Sequence, residues 1–209
     1  MRHRLFLLSP ANCSGKRAGL LLSPRADFEL ARRLRSPEGA ALGDVFSFMS
    51  NLYFRGKLAY ARAFARPPRD LPGSFVITPG GGLCTPESPI RNEDLLRFGR
   101  VPVDPGERRY RAPLLRDLRR LERLSADADL VLLGSIASDK YAGLLTSVLG
   151  SRLLFPVDFV GRGDMSRGGL MLRCAREDKE LRYKSLLGAN RRGPRPPRLA
   201  AMTRTRSRG

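Results

Sequence analysis

The chain has 209 residues, with 39 Lys or Arg against 20 Asp or Glu, a formal net charge of +19 and a pI of about 11.3. That length suits one domain of ordinary size with a real core, or a domain with a tail. The only histidine is His3, and the cysteines stand far apart at 13, 84 and 174, so a His-rich metal site, an internal Ser-His-Asp triad and a disulfide framework are excluded.

The basic excess favours a polyanionic partner, above all nucleic acid, because neutralised phosphates release counterions. Only five of the basic residues are lysines, which a GC-rich coding bias explains. That bias does not explain why acids are half as common as bases. The charge therefore points to nucleic-acid or nucleotide contact.

In chain order, four short apolar runs read as buried strands: Arg4–Ser9, Ser74–Thr78, Asp129–Gly134 and Arg152–Val157. Each is continuously apolar rather than alternating, as expected of strands covered on both faces. Helical patterns lie between them at Lys16–Leu22, Asp27–Leu34, Asp44–Ala65, Arg111–Leu124 and Ser138–Leu149, with Asp44 a plausible N-cap. The Pro- and charge-rich segment Thr85–Arg109 reads as an extended excursion. Strands alternating with helices predict a three-layer α/β sandwich over residues 1–188, with a mostly parallel sheet of at least four strands.

Residues 189–209 carry seven arginines, no acid and little apolar surface, and read as a disordered basic tail. The apolar Leu5–Leu8 is too short for a secretory segment or a membrane span. A cytoplasmic protein with reduced thiols and no membrane contact is the expectation.

In sheets of this kind ligands bind outside the carboxyl ends of the strands. Four junctions follow. The first, Ser9–Arg17, opens a helix and offers Asn12, Lys16 and Arg17; Gly15-Lys16 lacks the rest of a P-loop, since Pro10 and Arg17 replace its glycine and hydroxyl residues. Cys13 has no partner base, so a buried inert thiol is the favoured reading. The second carries Gly80, Gly81 and Gly82, which either approach a sugar or base closely or merely reverse the chain. The third offers Asp139, Lys140 and Tyr141, and helix capping alone accounts for the acid. The fourth, Asp158–Gly169, alternates Gly and Arg around Asp164, with Arg162 and Arg167 as forked donors suited to phosphate. Its R-G-D triplet is a coincidence in a cytoplasmic chain. No metal or cofactor is implied.

The residues L-L-S-P-A-N at 7–12, L-Y-F-R-G-K-L-A-Y at 52–60 and F-V-I-T-P-G-G-G-L at 75–83, followed by Pro89-Ile90, form an ordered series. This series resembles the YaaA peroxide-stress family and related small domains of uncharacterised function. Asn12 stands where that family has a lysine, and Thr78–Gly82 replaces its S-G-L-Y-G turn. The resemblance implies a core similar to the uracil-DNA-glycosylase-like α/β fold, and DNA binding.

The expectation is a nucleic-acid-binding protein, of DNA more than RNA, with a base-processing or damage-related role. Lys16, Arg17, Arg162 and Arg167 hold phosphates in that reading, and Asp139 or Asp164 positions a water or a cationic sugar, with the base turned out of the stack. Two alternatives stay open: an enzyme on a nucleotide or small phosphorylated metabolite, and a non-catalytic RNA- or ribosome-associated protein. Oligomeric state is left open.

Overall fold

A computed structural model describes residues 2–137, 139–197 and 199. Among these residues eight strands and eight α-helices follow one another. They are β1 (His3–Leu8), α1 (Lys16–Leu22), α2 (Glu29–Arg35), β2 (Ala40–Ala41), α3 (Leu42–Ser50), α4 (Leu52–Phe64), β3 (Ser74–Thr78) and β4 (Gly82–Cys84). Then come β5 (Pro89–Ile90), α5 (Asn92–Gly99), α6 (Arg108–Leu124), β6 (Ala128–Leu133), α7 (Asp139–Leu149), β7 (Leu153–Pro156), α8 (Asp164–Arg176) and β8 (Tyr183–Ser185).

Six strands form the main sheet in the order β4-β3-β1-β6-β7-β8, and β2 pairs with β5 apart from it. The four inner strands, which are the four apolar runs of the sequence, are mutually parallel. The edge strands β4 and β8 run antiparallel to their neighbours. The centre is dry: Leu5, Phe6, Leu7 and Leu8 of β1 and Leu130 to Leu133 of β6 have no exposed surface. Helices α4 and α8 pack on one another beside β1, and α6 and α7 pack on one another against β3, β4 and β7. The architecture is the expected α/β sandwich with a mostly parallel sheet.

After β1 the chain moves outward to β3, then returns past β1 to place β6 on its other side. That reversal is a topological switch point, where loops leaving adjacent strands diverge and open a crevice. Registers Leu8↔Leu133 and Leu8↔Val76 bring the carboxyl ends of β1 and β6 level, with β3 running on to Thr78.

Four expectations are corrected. The helix expected over Asp44–Ala65 is two helices, broken at Asn51, whose φ of 46° puts a non-glycine residue outside helical geometry. Asp44 lies in the first turn of α3 rather than at its cap. The excursion Thr85–Arg109 holds β5 and α5, because Leu95 and Phe98 bury into the core and the Asp94 carboxylate accepts the Arg91 N–H at 3.1 Å. The stretch from 189, expected to lie free of the core, touches it over its first part. Arg191 pairs with Asp139 at 2.6 Å, and Gly193 and Pro194 sit against Val160 and Gly161. The rest of the expected tail falls largely outside the described residues.

Candidate functional site

The crevice at the switch point is a cavity of about 780 Å³. Ser9 and the loop to Ser14 supply one wall, Ser135, Lys140 and Tyr141 the wall after β6, and Asp164 the start of α8. The residues from Phe98 to Asp104, the end of α5 and the loop after it, close the far side. Its volume falls within the range of small-molecule and nucleoside pockets.

Ser9 continues β1 by donating its N–H to the Leu133 carbonyl at 3.1 Å. The loop then turns on Asn12, whose Oδ1 accepts from the Ser14 N–H at 3.1 Å and the Ser14 hydroxyl at 3.0 Å. The backbone N–H groups of Ala11, Asn12 and Cys13 donate to no other described residue.

Behind Ser9 lies Lys57 of α4, fully buried. Its Nζ donates to the Ser9 carbonyl at 2.8 Å and the Ser9 Oγ at 2.9 Å, and sits 4.1 Å from the Tyr53 ring centre and 5.0 Å from that of Phe54. A buried ammonium costs several kcal/mol unless paired. Among the described residues Lys57 forms no ion pair. Burial lowers its pKa to about 7, partly offset by the more distant negative charge of Asp164.

Tyr53 stands four residues earlier on the same helix face. Its hydroxyl is buried near Arg167 and Asp164 yet closes no hydrogen bond at good geometry, and burial raises its pKa. Tyr141 accepts from the Ser135 N–H at 2.7 Å and lies against Ser9 and Gly134. Asp164 pairs with Arg167 at 3.3 Å, its side chain still 60% exposed. Arg167 itself is buried and donates Nε and Nη2 to the Phe159 carbonyl at 3.3 and 3.2 Å. Its forked donors brace the turn before α8.

The structure therefore brings together Asn12, Lys140, Tyr141 and Asp164, and separates the other expected residues. Lys16 and Arg17 lie outside the cavity, exposed on α1, and Arg17 donates to the Phe48 carbonyl at 2.9 Å. Asp139 turns away to Arg191. Arg162 donates to the Asp158 carbonyl at 3.0 Å and to Ser166 at 3.2 Å, in a separate hollow. The glycines at 80–82 form the turn between β3 and β4. A Cβ on Gly82 would overlap the Asp117 carboxylate, and one on Gly81 the Thr78 hydroxyl, so packing of the hairpin accounts for them. Arg167 holds protein rather than phosphate because burial and two carbonyl contacts commit its donors.

Cys13 is buried and its thiol is pushed up to about 12 by desolvation, which agrees with the inert reading. No group of metal-ligating side chains occurs among the described residues. No helix among them is long and apolar enough to cross a membrane.

Sequence reasoning missed Ser9, Tyr53 and Lys57 as site residues. One signal was present: Lys57 occupies an otherwise apolar helix face between Phe54 and Leu58, where burial demands a polar partner. The chain matches no protein-family profile, no curated protein and no solved structure.

Proposed function

We propose that the protein binds nucleic acid, DNA in preference to RNA, and admits one unstacked nucleotide into the cavity at the ends of β1 and β6. The observation that carries this reading is convergence: Asn12, Lys140, Tyr141 and Asp164, from three separate junctions, share one cavity with the unpartnered Tyr53 hydroxyl. A base edge needs such a mixture of donors and acceptors, and taking it from the stack exposes its whole polar rim. Arg100 and Lys140 on the cavity lining, within a chain of net charge +19, supply attraction for the backbone. Asp164 is the carboxylate placed to accept from the bound nucleotide. The ordered series of motifs resembling the YaaA family is consistent with DNA as the partner.

The test is fluorescence anisotropy of the full chain with labelled single-stranded DNA, duplex DNA and RNA across a salt series. Affinity for DNA that falls steeply with salt, and weakens in Asn12→Ala and Asp164→Asn, supports the reading. Salt-insensitive affinity for a mononucleotide, with none for oligonucleotides, overturns it in favour of an enzyme acting on a small phosphorylated metabolite.

A further inference from the structure

Ser9 stands between two environments. One side lines the main cavity; on the other, the Lys57 amine approaches its Oγ to 2.9 Å and is shielded completely from water. Lys57 does not itself line the cavity, so a bound molecule meets the hydroxyl first and the amine only through it. An amine in this position is the proton acceptor that a serine nucleophile requires. Serine–lysine pairs are an established variant of the serine–histidine arrangement.

We propose that Ser9 is a nucleophile with Lys57 as its base, and that the cavity accepts the acyl group of a carboxylic ester. The step goes beyond nucleic-acid binding and does not depend on it. Neutral Lys57 takes the proton from Ser9 Oγ as Oγ bonds to the carbonyl carbon. The tetrahedral adduct collapses, the carbon–alkoxide bond breaks, and the leaving oxygen takes the proton from Lys57. Water then attacks the acyl-serine and gives a proton to Lys57, which returns it to Oγ as the carboxylic acid departs.

Two further observations favour an acyl carbon. The backbone N–H groups of Ala11, Asn12 and Cys13 donate to no other described residue, and all three residues line the cavity next to Ser9. Unspent donors beside a nucleophile are what a developing oxyanion needs. The nearest buried guanidinium, Arg167, is committed to the Phe159 carbonyl and Asp164. A neutral carbonyl suits that floor better than a phosphate. Burial leaves much of Lys57 neutral near pH 7, as a base at this position must be.

The test exposes the full chain to a fluorophosphonate and to p-nitrophenyl acetate from about pH 5.5 to 9.5, with adducts located by peptide mass mapping. One adduct on Ser9 is expected, forming along a single-proton curve centred near pH 7. Ser9→Ala removes it, and Lys57→Met slows it at least ~100-fold and flattens the curve. An unlabelled Ser9 at every pH overturns the proposal, as does equal labelling in Lys57→Met. Should Lys57→Met fail to fold by circular dichroism, the wild-type curve decides, and a rate with no rise near pH 7 overturns it. Oligonucleotide affinity is measured on the unlabelled wild-type chain, so failure of labelling and failure of binding are read separately.

Discussion

Gly56 of α4 and Gly168 of α8 cross so closely that a Cβ on Gly56 would meet the Gly168 carbonyl at 2.5 Å. On Gly168 a Cβ would meet the Leu52 carbonyl at 2.6 Å. Lys57 and Arg167 are the chain neighbours of these glycines, and the crossing brings Tyr53 and Lys57 under the start of α8, where Asp164 sits. The cavity floor depends on two residues that have no side chain.

Gly56→Ala should therefore destabilise the protein. In an unencumbered helix the change gains about 0.5–1 kcal/mol. Here the obstacle is backbone, which cannot swing aside, and overpacking costs about 1–3 kcal/mol. Urea denaturation should show a net loss of about 1 kcal/mol or more. A gain in stability would mean that the two helices are free to separate.

Lys57 gives the stability a pH dependence of definite sign. Its folded pKa is lowered to about 7 from the ordinary lysine value of 10.5, so between those values the unfolded chain binds the extra proton. Stability then rises with pH across this window, by at most about 1.4 kcal/mol per unit. Lys57→Met should lose that rise and should be at least as stable as wild type below pH 7, where the buried ammonium is a burden. Denaturation midpoints of the pair at about pH 6.5 and 9.5 give the difference directly. Parallel pH profiles would contradict the burial of an unpaired amine.

The hairpin turn offers a contrasting prediction. Gly82 has a φ of +71° and no room for a Cβ beside Asp117, whose carboxylate accepts the Leu83 N–H at 3.0 Å. Gly82→Ala should cost about 1–3 kcal/mol through strain and displacement of Asp117. Oligonucleotide affinity of the folded protein should be unchanged, because Gly82 lies outside the cavity. Isothermal titration together with thermal melting separates the two effects.

Much of the sheet was legible because strands buried on both faces must be continuously apolar. The runs at 4–9, 74–78, 129–134 and 152–157 became the four inner strands. The edge strands β4 and β8 have only three residues each, too few to show a period. Helix α8 was illegible for a physical reason. Gly168 and Gly169 disfavour a helix, and only the contact with α4 makes Gly168 necessary there. Of the site, polar residues following strands were legible at Asn12, Lys140, Tyr141 and Asp164. The burial of Lys57 was not, because it arises where α4 crosses the end of β1, a meeting that no local spacing encodes.

Charge beyond residue 197 supplies another prediction. Deleting residues 198–209 removes four arginines. Binding to long DNA should weaken, and the slope of log affinity against log salt should become shallower by at most about 3.6, the value if all four engage a duplex. Arg191 and its pair with Asp139 remain, so the melting temperature should stay nearly constant. An unchanged slope would show that these arginines make no contact with phosphate.

The most direct measurement is photocross-linking of the full chain to DNA carrying a single 5-iodouracil, with the attached peptide identified by mass spectrometry. A nucleotide held in the cavity should attach at Tyr53 or Tyr141, or within the loops at 9–14 and 135–141, and Asp164→Asn should reduce the yield. Cross-links confined to the arginines beyond 189 or to the outer faces of α1 and α6 would contradict a nucleotide-binding cavity at the ends of β1 and β6.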